Sequence, residues 1–99
     1  PYYFLTSIQV SHENEVTASK KMHEIAQFIK EYLSDEAIIL GPTPKSVART
    51  HNKYHFQFII KYKNEARLNE GLHELLMSTQ KEQTKGLLIR IDPEPSQFL

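Results

Sequence analysis

The chain has 99 residues, and its 12 Lys and Arg residues balance its 12 Asp and Glu residues, so its formal net charge at pH 7 is zero. This length suits one compact domain over residues 1–99, and no apolar run approaches the roughly 18 residues of a membrane-spanning helix. The absence of cysteine excludes disulfide bonds, thiolate metal sites and a thiol nucleophile.

A strand is predicted at the start of the chain. Apolar and polar residues alternate from Phe4 to Val10, which is the period-2 pattern of a strand with one buried face. The chain enters this strand from Pro1 without an initiating Met, so we expect a fragment cut from a longer protein. The residues expected on the buried face are Phe4, Thr6, Ile8 and Val10.

An amphipathic helix is predicted next, from about Asn14 to Leu33. Apolar residues recur there at steps of three and four, which is the helical period. Either Ser11 or Asn14 could cap the first turn with its side-chain oxygen. The apolar stripe consists of Ala18, Met22, Ile25, Ala26, Ile29 and Leu33.

A hairpin is predicted in the middle of the chain. A β-branched run over residues 37–40 begins its first strand, and prolines at positions 42 and 44 favour extended, irregular backbone after it. The chain turns at His51, Asn52 and Lys53, with Asn52 as the pivot because asparagine tolerates positive φ. The next strand alternates between Tyr54, Phe56, Phe58, Ile60 and Tyr62 on one face and His55, Gln57, Ile59, Lys61 and Lys63 on the other.

The last two predicted elements are a helix and a strand. After Asn64, which is predicted to cap it, leucines at helical spacing predict a helix up to about Thr79. Gly71 costs this helix ~1 kcal/mol relative to alanine, which is tolerable if the helix packs closely on the sheet. The final strand is predicted over residues 86–92, and the prolines that follow predict a short tail.

The order β-α-β-β-α-β predicts an α+β fold. Two interleaved right-handed β-α-β crossovers produce one four-stranded antiparallel sheet with both helices on the same face, a ferredoxin-like split sandwich. The opposite sheet face is left open to solvent or to a partner. We therefore expect function on that face.

The charge is unevenly distributed along the chain. No acidic residue lies between positions 37 and 64, so the predicted hairpin carries a local charge of +5 from Lys45, Arg49, Lys53, Lys61 and Lys63. Such a surface suits a phosphate backbone, and interleaved Tyr and His can stack on unpaired bases. The alternative interpretation is a solvated face whose lysines protect a strand from aggregation.

No motif predicts catalysis. The five histidines form no H-E-x-x-H motif, the three glycines are isolated, and no serine lies in a nucleophile elbow. We therefore expect a binding module with no catalytic residue, metal site or cofactor in this chain.

The hairpin also contains the most distinctive run in the sequence. The segment Leu40–Pro44 is followed by Val47–Arg49 and then by Asn52–Lys61. This succession resembles the central stretch of the C-terminal domain of the PriA family, the primosomal protein N′ helicases of bacterial replication restart. The opening Pro1–Phe4 and the ending Ile89–Pro93 are similar to the first and last strands of that domain, so the resemblance spans essentially the whole chain.

The resemblance implies a domain with a ribosomal S10-type fold of the same element order. It implies that the domain helps a helicase to hold single-stranded and branched DNA at a stalled fork, where primosome assembly begins. The implied parent is an ATP-dependent 3′-5′ DNA helicase of the bacterial cytoplasm, with a zinc-binding insertion outside this chain. The implied partners are DNA, primosome proteins and the acidic, Phe-ending tail of the single-stranded-DNA-binding protein.

Charge and resemblance together nominate seven DNA-binding residues. The family carries arginines at the positions of Lys53 and His55. The seven candidates are Lys45, Arg49, Lys53, Tyr54, His55, Lys61 and Lys63.

Two other functions stay open at this point. The open sheet face or a sheet edge could be a docking platform for replication proteins or an inhibitor, with little DNA contact of its own. The chain could also be a small free-standing RNA-binding protein of the ribosomal type. The missing initiating Met counts against this last hypothesis.

Overall fold

The computed structural model describes residues 3–50 and 52–93, with the backbone alone for residues 43–50. Within these residues a four-stranded antiparallel sheet has the strand order β2-β3-β1-β4, which confirms the predicted α+β split sandwich. A short third helix, α3, was not predicted. The elements are β1 (Phe4–His12), α1 (Glu15–Lys30), β2 (Ile38–Thr50), β3 (Lys53–Tyr62), α2 (Leu68–Ser78), α3 (Gln80–Gln83) and β4 (Leu88–Pro93).

The hydrophobic core lies between one sheet face and the two long helices. In the central strands, Ile8 of β1 is paired with Phe58 of β3, and both side chains are fully buried. The predicted inward residues of α1 are buried, whereas Leu33 lies beyond the helix end and is partly buried. No helix in the described part of the chain is long and apolar enough to cross a membrane. The largest fully buried side chains are Ile8, Met22, Ile29, Phe58, Ile60 and Leu75.

The two long helices begin in different ways. The side-chain oxygen of Asn14 accepts a hydrogen bond from the Thr17 N–H at 2.9 Å, which confirms Asn14 as the cap of α1. The prediction that Asn64 caps α2 was wrong, because that helix begins only after Arg67. The intervening loop is held by Glu65, whose carboxylate accepts hydrogen bonds of 2.7 Å from both the N–H and the hydroxyl of Ser34.

Prolines are accommodated in the two edge strands. β2 contains Pro42 and Pro44 and continues to Thr50, with register shifts between Leu40 and Thr43 and between Pro44 and Arg49. β4 likewise extends through Pro93, one residue past its predicted end. An edge strand pairs on one side only, so a proline whose nitrogen faces outward removes no bond from the sheet.

The hairpin turns where the sequence predicts. Asn52 has a φ of 63°, which confirms it as the pivot between β2 and β3. Gly86 has a φ of 99° and ends the turn that precedes β4, so the strand begins at Leu88 instead of at position 86. The predicted tail began at Asp92, but Asp92 and Pro93 belong to β4. His51 and residues 94–99 lie outside the described residues.

Gly71 makes a close approach, but its neighbour is Tyr32 and not the sheet. A Cβ at position 71 would lie 2.7 Å from Cγ of Tyr32. The Tyr32 ring has a second neighbour, since the Arg67 guanidinium lies 4.8 Å from the centre of this ring. The absence of a side chain at position 71 therefore lets the second helix pack against the end of the first.

We expect Gly71→Ala to lower the free energy of unfolding by about 1 kcal/mol, and by no more than about 2 kcal/mol. Alanine favours a helix over glycine by roughly 1 kcal/mol, but overpacking costs about 1–3 kcal/mol. Urea unfolding followed by circular dichroism measures the difference. The control is His73→Ala on the exposed side of the same helix, which should change stability by less than about 0.5 kcal/mol. A stabilised Gly71→Ala variant would contradict the close contact.

Candidate nucleic-acid surface

The sheet face that points away from the helices is called here the open sheet face. Alternation along β3 places its odd-numbered residues there, since its even-numbered neighbours Phe56, Phe58 and Ile60 are buried in the core. Residues paired across antiparallel strands share a face. The described members of the open sheet face are Leu5, Ser7, Gln9 and Ser11 of β1, Ile38 and Leu40 of β2, Lys53, His55, Gln57, Ile59 and Lys61 of β3, and Leu88, Arg90 and Asp92 of β4.

The structure brings some of the seven nominated residues together and separates another. Lys53, His55 and Lys61 lie on the open sheet face. Lys63 is exposed just beyond the end of β3. Tyr54 lies on the opposite face of that strand, partly buried against the core. For the remaining two, Lys45 and Arg49, the backbone belongs to β2 and the side chains lie outside the described residues.

Two lysines and an aromatic ring meet at one corner of this face. The Lys61 ammonium lies 4.6 Å and the Lys63 ammonium 5.1 Å from the centre of the Tyr3 ring. Tyr3 is 46% exposed, so part of its side chain is accessible to a partner. Cations beside an exposed aromatic ring can bind a phosphate and a base at neighbouring positions.

A polar network fixes the orientation of His55 near the middle of the sheet. Nδ1 of His55 lies 2.6 Å from the hydroxyl of Ser11, which is its cross-strand partner and is fully buried. Nε2 of Gln9 lies 3.4 Å from the same hydroxyl and 3.5 Å from the imidazole nitrogen. The imidazole is therefore held against β1, and its direction over the face is set before any ligand arrives.

Acidic residues are nearly absent from the strands. Asp92 in β4 is the one carboxylate carried by the four strands, and the other described carboxylates lie on helices or on the loops that flank them. A zero net charge thus conceals a basic sheet and an acidic helical side.

On the helical side, two of the cations, Lys21 and Arg67, are paired with carboxylates. Lys21 bridges from α1 to Glu82 of α3 and also lies 3.4 Å from Glu24. Partial burial lowers the pKa of Lys21, but the hydrogen bond and charge of Glu82, with help from Glu24, raise it overall. Arg67 donates hydrogen bonds to Glu70, which hold the pKa of that carboxyl below its usual value. These cations are neutralised locally, so they contribute little to attracting an anion.

Sequence reasoning missed one cation of the open sheet face. Arg90 of β4 is exposed and is paired in register with Gln9, which is paired in turn with Gln57 of β3. The alternation of Arg90 with the apolar Ile89 and Ile91 was visible in the sequence and indicated its face. The strand order was needed to show that this face is shared with the hairpin, because β4 lies beside β1.

Comparisons with known proteins find relatives that match almost the whole chain. The family model of the primosomal protein N C-terminal domain matches residues 1–94. The replication restart protein PriA of Bacillus subtilis (strain 168) is 36% identical over 96 residues. That alignment covers 96% of this chain and 12% of the relative, so the chain spans a small part of the relative's length.

Solved structures share the architecture at low sequence identity. The de novo designed protein Foldit4 has a TM-score of 0.63 and 10% identity, with 91% of this chain and 96% of that chain covered. A hydantoinase/carbamoylase family amidase from Burkholderia ambifaria has a TM-score of 0.54 and 11% identity, covering 92% of this chain and 27% of its own. At such identities these likenesses show the fold alone.

Proposed function

We propose, since this chain belongs to the family of primosomal protein N C-terminal domains, that it is the DNA-binding and protein-docking domain of a replication restart helicase. In this proposal the domain helps its parent to recognise a stalled fork at the bacterial nucleoid, in the cytoplasm, and to initiate primosome assembly. ATP and zinc would be bound elsewhere in that parent. This chain would supply contacts and no catalytic residue.

The observation that carries the proposal is the separation of charge between the two sides of the domain. The hairpin holds five cations and no carboxylate, whereas the helical cations Lys21 and Arg67 are paired with glutamates. Phosphate contacts by Lys and Arg release counterions, which favours binding wherever the cations are not already neutralised. A DNA backbone is therefore better matched to the hairpin side than to the helices.

Reversing three hairpin charges tests this function. We expect Lys45→Glu, Arg49→Glu and Lys61→Glu, combined in one variant, to weaken binding of a labelled forked or single-stranded oligonucleotide by tenfold or more. Each reversal replaces attraction to phosphate by repulsion. Fluorescence anisotropy at fixed, stated salt measures the dissociation constant.

The matched control reverses three exposed lysines on the helical side. Lys20→Glu, Lys30→Glu and Lys81→Glu together change the net charge of the chain by the same amount. If binding depends on the hairpin, the control variant keeps most of the wild-type affinity. Equal losses in both variants would show that net charge alone drives the association, and an unchanged affinity in the hairpin variant would refute the proposal.

Protein docking is the second candidate function, and exposed apolar side chains favour it. Ile38 and Leu40 of β2 and Leu88 of β4 are 46%, 49% and 47% exposed on the same sheet face. Primosome proteins and the acidic, Phe-ending tail of the single-stranded-DNA-binding protein are the partners we propose for this role. A partner that stays bound to the domain after nuclease treatment, while purified DNA does not bind, would make docking the principal function.

A further inference from the structure

We infer that the open sheet face binds a single strand of nucleic acid across its whole width, with Arg90 of β4 as a contact equal in rank to the hairpin lysines. The inference rests on the proposed function and extends it in two ways. It adds a far edge to the surface, beyond the hairpin, and it commits to unpaired bases in place of a duplex.

The register places three cations at the margins of the face. Lys61 is paired with Leu5 and Ile38 at one end of β3, and Lys53 lies at the other end. Arg90 lies two strands away from both, beyond Gln9. With strands about 4.8 Å apart and a rise of about 3.4 Å per residue, the Cα atom of Arg90 lies roughly 17 Å from that of either lysine.

The centre of the face holds uncharged side chains. Gln57 and Gln9 form one cross-strand pair, and His55 and Ser11 form the next. Ile59 is 8% exposed but is not part of the helix-side core, because it lies on the open sheet face beside Leu40. Phosphates would bind the cations at the margins, whereas the side chains at the centre are amides and apolar groups.

This arrangement fits a single strand better than a duplex. A duplex keeps its bases stacked and paired, so side chains at the centre of the face could reach only base edges in its grooves. Unpaired bases need apolar or aromatic contacts and amide hydrogen bonds. Leu40 and Leu88 are each about half exposed on this face, and Tyr3 adds an exposed ring beside Lys61.

Charge complementarity selects a nucleic acid over an apolar partner. Against Lys53, Lys61 and Arg90 the strands present one carboxylate, that of Asp92. An anionic chain is therefore favoured along the margins of the face, and a neutral apolar partner would leave these cations desolvated and unpaired.

Two substitutions outside the hairpin test the inference. We expect Arg90→Ala to weaken binding of a labelled oligothymidylate by about fivefold and to reduce its salt dependence by one phosphate contact. Leu88→Ser should weaken the same binding by about threefold without changing the salt dependence, because it removes an apolar contact to bases and no charge. The control is Lys85→Ala, an exposed cation in the turn before β4, which should bind like the wild type.

A duplex of the same length and an acidic peptide complete the experiment. Thermal melting of each variant confirms folding, and amide chemical shifts of residues 88–92 should move on titration with oligothymidylate. Suppose that these shifts do not move and that Arg90→Ala and Leu88→Ser bind oligothymidylate as tightly as the wild type, while the hairpin reversal still weakens binding. The inference then fails and the proposed function stands. Tighter binding of the duplex or of the peptide than of the single strand would also overturn it. A wild-type chain that binds no nucleic acid would refute both the inference and the proposed function.

Discussion

Replacing Phe58 with alanine should lower the free energy of unfolding by about 3–5 kcal/mol, which is a large part of the 5–15 kcal/mol typical of a domain. Phe58 is fully buried in β3, one of the two central strands, and is paired with Ile8 of β1. Its ring is among the largest side chains of the core between the sheet and the helices. Truncation removes the apolar transfer energy of the ring and also leaves a cavity that rigid strands cannot close.

Urea unfolding followed by circular dichroism measures this loss, and Phe4→Ala is its matched control. Phe4 is the same residue type on the same face of the sheet, but it is 48% exposed and has one described aromatic neighbour, Tyr62, at a ring distance of 5.8 Å. We expect Phe4→Ala to cost no more than about 1 kcal/mol. Similar losses in the two variants would show that the core is not centred on β3.

Raising the salt concentration from 50 to 200 mM should weaken binding of single-stranded DNA by roughly 100-fold. If the five hairpin cations each displace a counterion, the logarithm of the association constant falls with a slope of about −3.5 against the logarithm of salt concentration. A fourfold increase in salt then lowers the association constant by about two orders of magnitude. The effect is large because these cations, unlike Lys21 and Arg67, lack carboxylate partners within the hairpin.

The slope itself counts phosphate contacts, so single substitutions can test it. Lys53→Ala and Lys61→Ala should each make the slope shallower by about 0.7, whereas Lys30→Ala on α1 should leave it unchanged. Anisotropy titrations at four or more salt concentrations give the slope for each variant. A slope near zero in the wild-type chain would mean that DNA contact does not depend on the hairpin charges.

Much of the fold could be predicted from local pattern alone. The alternation of β1 and β3 predicted which face of each strand carries the core, since Ile8, Val10 and Phe58 are fully buried. The expected burial of Phe4 was wrong, because this residue begins β1 at the end of the sheet and is 48% exposed. The 3.6-residue period of α1 predicted its inward residues for the same reason: periodicity follows from backbone geometry, which each segment carries with it. The turn at Asn52 was predictable because few other residues tolerate its positive φ.

Features that depend on distant contacts could not be predicted in this way. The helix α2 begins only after Arg67, and Glu65 in the preceding loop bonds to Ser34, which lies 31 positions away in the chain. The role of Gly71 is likewise set by Tyr32, a residue in the turn that follows α1. The continuation of β2 through its prolines depends on its place at the sheet edge, which is a property of the strand order.

Part of the candidate surface could likewise be predicted from the sequence, and part required the tertiary structure. The sequence by itself determined that residues 37–64 hold five cations and no carboxylate, so a zero net charge had to conceal a basic segment. Only the tertiary structure decided which cations share a face. The order β2-β3-β1-β4 brings Arg90 onto the face of Lys53 and Lys61, while alternation turns Tyr54 toward the core. Composition records how much charge a chain carries, whereas strand order and pleat determine where that charge meets a partner.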